Sequence, residues 1–248
     1  MPASRSLLAA LLISSALRAD GLADLKAALA RLPGREPVKG TLELRVTRQT
    51  VEDRRPVVVR GHAAARVEDG PQGLRLALGR EDLQQAASEG RAQAREPERP
   101  VPHRLGLREL DPLDAAELLN HAEALARYLD KAVLLEERRE PWNGRPARTL
   151  VIRVEPSLPQ SQRRYLKKVE VNARIWLGED GAPLGLSYQA VYSGSRFFIS
   201  FKGSIQEERR FAVAGDRLLV LSRSVEESAS GFGFSYTNQR SASFTPDR

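Results

Sequence analysis

Apolar and polar residues alternate with a period of two along most of this chain. The pattern starts near Val38, where Leu42, Leu44 and Val46 share one side, and it is typical of strands with one buried face. Similar stretches follow, separated by short turns such as EDGPQG, GEDGAP and AGD. Short turns between strands require antiparallel neighbours. The pattern therefore predicts about ten antiparallel strands.

Two segments have helical spacing instead. Asp20 can cap a short N-terminal helix, and Asp111-Pro112 suits the start of a longer one from Leu113 to Leu129. The longer helix has a broad apolar stripe, which must lie on something apolar. We therefore predict an α+β fold in which this helix covers the concave side of a single, strongly curved antiparallel sheet, a half-barrel.

One segment fits neither pattern. Residues 81–95 are rich in Gln, Ala, Glu and Arg and have one large apolar residue, Leu83, while Gly90 weakens a helix. The composition fits either a solvated helix or a disordered segment. We predict a polar insertion at 80–100 within one domain spanning 20–248.

The stretch SASGFGFSYTNQRSASF, residues 228–244, combines turn-forming residues with alternation. Phe232, Phe234 and Tyr236 alternate with small residues, which favours one strand with an aromatic face and a bare face. Aromatic strand faces are usually core. We interpret the bare face as the place where the sheet curls most, because glycine permits tight bending or close approach.

The first residues have the pattern of a secretory signal peptide. Arg5 precedes an apolar run, Leu7 to Leu17, and small residues allow cleavage after Ala16 or Ala19. The run is too short to span a membrane as a helix, which takes about 20 residues. We predict residues 1–19 as the signal peptide, a periplasmic location and no membrane span in the mature chain.

The layout resembles the periplasmic lipoprotein-carrier family, the proteins that sort outer-membrane lipoproteins. The likeness rests on DLKAALARLPGREPVKGTLELRVTRQ (24–49) and ARIWLGEDGAPLGLSYQAVY (173–192). It lies in the order of elements and carries no site residue across. The resemblance implies an open half-barrel around an apolar cavity under a helical lid, with a lipid or the acyl chain of a lipidated protein as ligand.

Catalytic and cofactor chemistry has little support in the residues. Cys is absent, which excludes thiol catalysis and Cys-based zinc sites, and the GFGFSY segment lacks the third glycine of a dinucleotide loop. Glu117 and His121 are four residues apart and could pair. We predict no enzyme, no catalytic residue, no cofactor and no metal site. The net charge of +7 is scattered, so nucleic acid is not an expected partner.

Two sets of residues are candidates for binding. The first could line a cavity between sheet and helix: Leu118, Leu125, Leu129, Phe197, Phe201, Phe232, Phe234 and Tyr236. The second is the basic cluster RRYLKK, which could face anionic lipid or an acidic partner through Arg163, Arg164, Lys167 and Lys168. Two functions lead: a non-enzymatic carrier of an apolar ligand, or an envelope scaffold with a filled core that binds a protein partner. A hydrolase without a recognisable motif is the third alternative.

Overall fold

The predicted curved-sheet architecture is confirmed by a computed structural model that describes residues 20–52, 55–154, 163–196 and 199–247. Within these ranges, ten strands form one antiparallel sheet. The sheet does not close, because the strands at 73–78 and 132–139 lie at its two edges. The predicted signal peptide and Phe197 fall outside the described residues.

The strands are 6 to 16 residues long, and a 15-residue strand spans about 50 Å. The strands are β1 (Val38–Glu52), β2 (Arg55–Gly70), β3 (Gly73–Leu78), β4 (Ala132–Arg139), β5 (Arg148–Val154), β6 (Leu166–Leu177), β7 (Pro183–Arg196), β8 (Ile199–Ala214), β9 (Arg217–Gly231) and β10 (Phe234–Pro246). Their order in the sheet is β3-β2-β1-β10-β9-β8-β7-β6-β5-β4.

The helical layer is made of short helices. In the described ranges they are α1 (Gly21–Ala30), α2 (Arg80–Gln93), α3 (Pro102–Glu109), α4 (Pro112–Leu119) and α5 (Ala122–Leu129). Asp20 and Asp111 cap α1 and α4 through hydrogen bonds from Leu22 N and Leu113 N. The polar segment 81–95 lies mostly within α2, which packs on α3.

The prediction of one continuous helix from Leu113 to Leu129 is wrong. The helix breaks at Asn120 and His121, between α4 and α5. His121 N donates to Leu218 O of β9 at 2.9 Å, and buried Arg217 donates to Leu119 O at 3.3 Å. These tertiary bonds satisfy backbone groups at the break that a continuous helix would have paired internally.

The prediction of one strand from Ser228 to Phe244 is also wrong. The stretch is a hairpin, in which β9 ends at Gly231, β10 begins at Phe234, and Phe232 and Gly233 form the turn. Phe232 (φ 46°) and Gly233 (φ 78°) both have positive φ, as a two-residue type I′ turn requires. Phe232 is therefore a hairpin tip, 87% exposed, and not a core residue.

Candidate ligand-binding site

The concave face of the sheet has three zones, set by the pairing of the strands. The first is an apolar core beneath α1, α4 and α5, and the second is a band of charged side chains across the middle. The third is an aromatic region beyond the helices, which we call the open end. In this region Tyr192 is paired with Gly203 and Tyr236 with Ala229 on neighbouring strands. The pair Phe234–Gly231, next to the β9–β10 turn, is its outermost pair.

The core zone is filled. Leu118, Leu125 and Leu129 are all buried and belong to the main hydrophobic cluster. Beside Leu118 there is a void of only about 80 Å³, far smaller than the 300–1,000 Å³ typical of ligand pockets. Helices α4 and α5 therefore pack directly on the sheet at these residues, and the void beside Leu118 is too small for a ligand.

Four arginines on adjacent strands form the polar band, and acidic side chains from the helices pair with them. The arginines are Arg48, Arg240, Arg223 and Arg209. Arg240 Nε lies 3.6 Å from Glu109 Oε2, and Arg223 Nη1 lies 3.9 Å from Asp114 Oδ1. Arg48 pairs with Glu109 as well. These ion pairs join α3 and α4 to β1, β9 and β10.

Glu207 is the acid at the centre of the band. It is 8% exposed, and its Oε1 accepts from Arg209 Nε at 2.7 Å and from Arg223 Nε at 2.6 Å. Burial alone would raise the pKa of Glu207, but the two guanidinium groups outweigh it and hold the pKa low. Glu207 is therefore a carboxylate that compensates two arginines.

Glu117 and His121 remain close despite the helix break. His121 Nδ1 lies 3.3 Å from Glu117 Oε1, and Nε2 accepts from Arg209. Burial lowers the pKa of His121, and because a guanidinium N–H can only donate, Nε2 is the accepting nitrogen of the ring. The pKa of Glu117 is lowered to about 2, chiefly by the contact with His121. The charges of Arg209 and Arg223 lower it further, whereas burial acts in the opposite direction.

A cleft of about 610 Å³ opens between α5 and strands β7, β8 and β9. Its volume falls in the range of small-molecule sites. Tyr128 and Tyr188 meet edge to face across it, with ring centroids 6.1 Å apart, and burial raises the pKa of Tyr128. One wall is apolar, formed by Leu125, Val154, Leu186, Ile205 and Val225; charged groups include Glu117, Arg127, Lys131, Glu207, Arg209, Arg223 and Glu227.

The open end brings together three of the predicted aromatic residues. Phe201 and Tyr236 are half-buried and Phe234 is exposed. Glycines lie beside them because rings occupy their side-chain space: a Cβ on Gly203 would clash with the Tyr192 ring, and one on Gly194 with the Phe201 ring. A Cβ on Gly231 would instead meet Ser200 O and Cα and Cβ of Phe201, and nothing lies within 4 Å of one on Gly233. Rings therefore do not cover the bare face inferred for residues 228–244.

The basic cluster lies at the same end of the sheet. Arg163, Arg164, Lys167 and Lys168 are all exposed. Leu166 pairs with Gly194 of β7, and Tyr165 O accepts from Ser195 N at 2.9 Å. The cluster therefore lies at the β6 side of the open end.

Two features of the site escape sequence analysis. The polar band combines residues up to 192 positions apart, Arg48 and Arg240, which only the register of β1 and β10 brings together. Tyr128 and Lys131 border the cleft from the end of α5. Their only sequence signal was a polar face on an amphipathic helix.

Comparisons with known proteins add little to this geometry. No protein-family model and no curated protein matches the chain. Among solved structures, the chain is similar to MucB in a crystal structure of MucB in complex with MucA(peri), at 10% identity, covering 90% of this chain and 94% of that chain, with a TM-score of 0.20. A TM-score this low carries no argument about fold or function.

The fold and the cleft together define a half-barrel sheet protein with a partly covered concave side. In the part of the chain that the structure describes, no helix has the length and apolar character needed to cross a membrane.

Proposed function

We propose that this protein is an exported, non-enzymatic binding protein that holds a ligand with an apolar chain in the cleft beside α5. The observation that carries the proposal is the 610 Å³ cleft, whose apolar wall lies against two tyrosines. Ligand sites combine an apolar wall with polar groups, and in this cleft the polar groups include seven charged side chains.

The arrangement of the cleft favours an amphiphilic ligand. Ile205 and Val225 offer an apolar surface on β8 and β9, while Lys131 and Arg127 lie at the α5 side. An acyl chain would contact Ile205 and Val225, and its anionic head group would contact Lys131 and Arg127. The ligand lies beside the helix and not beneath it, because Leu118 and Leu129 are already packed in the core.

Mass spectrometry of an organic extract is the direct test. The mature protein would be purified from the periplasm without detergent and extracted, and the proposal expects lipid at close to one molecule per chain. A clean extract from folded protein, which also fails to take up added palmitic acid, would contradict the proposal.

A matched pair of variants locates the ligand. Ile205→Trp places a large ring in the cleft and is expected to reduce retained lipid at least about tenfold, because overfilled apolar space excludes the chain. Val191→Trp is the control, since Val191 is 44% exposed on the other face of the adjacent strand. Equal lipid retention by the two folded variants would place the ligand elsewhere.

A scaffold that binds an envelope protein is the second candidate. The filled core under α4 and the void of only about 80 Å³ favour it. A lipid-free protein that captures a defined envelope protein in a one-to-one complex would support this candidate.

A further inference from the structure

The tip of the β9–β10 hairpin presents a side chain that neither the core nor the turn requires. Phe232 is 87% exposed and has φ 46°. A non-glycine residue in the left-handed region costs about 1–3 kcal/mol unless it is Asn or Asp. Asn-Gly is the favoured sequence for such a turn. An aromatic ring here is unfavourable for the turn and gains no burial in return.

Phe232 belongs to a larger apolar surface at the open end. Phe234 and Ile199 are 41% and 43% exposed, and Val57 on β2 is 56% exposed. Gly231 lies directly beside Phe201 of β8, and Phe201 contacts Gly194 of β7. The surface therefore extends across several strands.

Cationic side chains border this surface. β9 and β6 are three strand spacings apart, about 15 Å, which places Arg163 and Arg164 near the hairpin. Arg164 lies over the Tyr165 ring at 4.7 Å. Lys168 pairs with Glu170 at 2.9 Å, whereas among the described residues no ion pair involves Arg163, Arg164 or Lys167.

We propose that the open end docks on an anionic phospholipid membrane, with Phe232 inserted among the head groups and the RRYLKK cluster on the lipid phosphates. Exposed aromatic rings with an adjacent cationic cluster suit the interface between head groups and acyl chains. Each surface Lys or Arg adds attraction to anionic lipid. This docking surface is separate from the cleft, so the proposal does not depend on the ligand proposed above.

Vesicle co-sedimentation tests the proposal with the mature protein. Binding to phosphatidylethanolamine vesicles that contain phosphatidylglycerol is expected to exceed binding to matched phosphatidylcholine vesicles by at least about tenfold at low salt, and to fall with added salt. The Arg163→Glu/Arg164→Glu variant is expected to lose most of the anionic preference. Equal binding to both vesicles, or none, would overturn the proposal; absence of binding would leave a protein surface as the alternative partner.

The role of Phe232 has its own matched control. Phe232→Asn is expected to weaken vesicle binding about tenfold while keeping a favourable turn. Leu113→Asn removes a similarly exposed apolar side chain, 79% exposed, from α4 at the helix-covered end, and is expected to change binding less than twofold. Equal losses of vesicle binding in the two variants would contradict the assignment of the open end as the membrane-binding surface.

Fluorescence gives a readout that a structural defect cannot mimic. Phe232→Trp is expected to show a blue-shifted emission with anionic vesicles, beyond that of Trp142 and Trp176 in the native chain, and quenching by brominated lipid. An unshifted, unquenched emission from bound protein would exclude insertion of the hairpin tip.

Discussion

Glu207 is the residue on which the polar band depends most. Its single Oε1 atom accepts from both Arg209 and Arg223, so removing it leaves two guanidinium groups without their buried counter-charge. Breaking a buried ion pair from one side costs about 3–5 kcal/mol. We expect Glu207→Ala to lower the free energy of unfolding by about 3 kcal/mol, measured by urea denaturation at pH 7.

The neighbouring Glu208 provides the control. It is exposed on the other face of β8, and Glu208→Ala is expected to change the free energy of unfolding by less than about 0.5 kcal/mol. The pKa of Glu207 is lower in the folded state, so its stabilisation is present above the unfolded pKa of about 4.3 and is lost as the pH falls through the folded pKa. A Glu207→Ala penalty that did not shrink under acid conditions would contradict this account.

At the scale of elements, the β9–β10 hairpin is destabilised by its own tip. Phe232→Asn replaces a strained aromatic residue with one that accepts positive φ. We expect the variant to raise the free energy of unfolding by about 1 kcal/mol, measured by urea denaturation. Phe234→Asn, on β10 itself, removes a ring that is 41% exposed and is expected to lower the free energy of unfolding. A destabilised Phe232→Asn variant would show that the ring contributes to folding.

The strands were predictable because their signal is local. Alternation sets the buried face, and turns such as GEDGAP and AGD set the antiparallel order, both read from neighbouring residues. The helix break was not predictable, because the apolar stripe continues past His121, and the bonds that end α4 come from Arg217 and Leu218 on a distant strand.

The candidate site was less predictable than the fold for the same physical reason. Phe232 and Phe234 alternate with glycine, so a turn at Phe232-Gly233 has the same pattern as a strand. Spacing indicated apolar rings at Phe201 and Tyr236, but it could not indicate which half of the sheet the helices cover. That coverage decides whether a ring packs in a core or lines an open surface.

At the scale of the whole molecule, the polar band separates a tightly packed half from an open half. Leu218 and Ile152 lie in the core. The parts of β8, β9 and β10 at the open end, near 199–204, 228–231 and 234–236, extend past the helical layer. Local opening is easier where backbone hydrogen bonds have few buried apolar neighbours. We expect hydrogen–deuterium exchange to be slow at 217–220 and 150–152, and faster at 228–236.

Ligand binding should change this exchange pattern at a defined place. Palmitic acid bound in the cleft would contact Ile205 and Val225, which line it. Exchange is therefore expected to slow at 203–207 and 223–227 while 217–220, already protected, stays unchanged. Binding to the folded state alone also stabilises it, by about 2.7 kcal/mol at a hundredfold excess over the dissociation constant. Slowed exchange confined to α4 would instead place the chain beneath the helices, which would require the packed core around Leu118 to open.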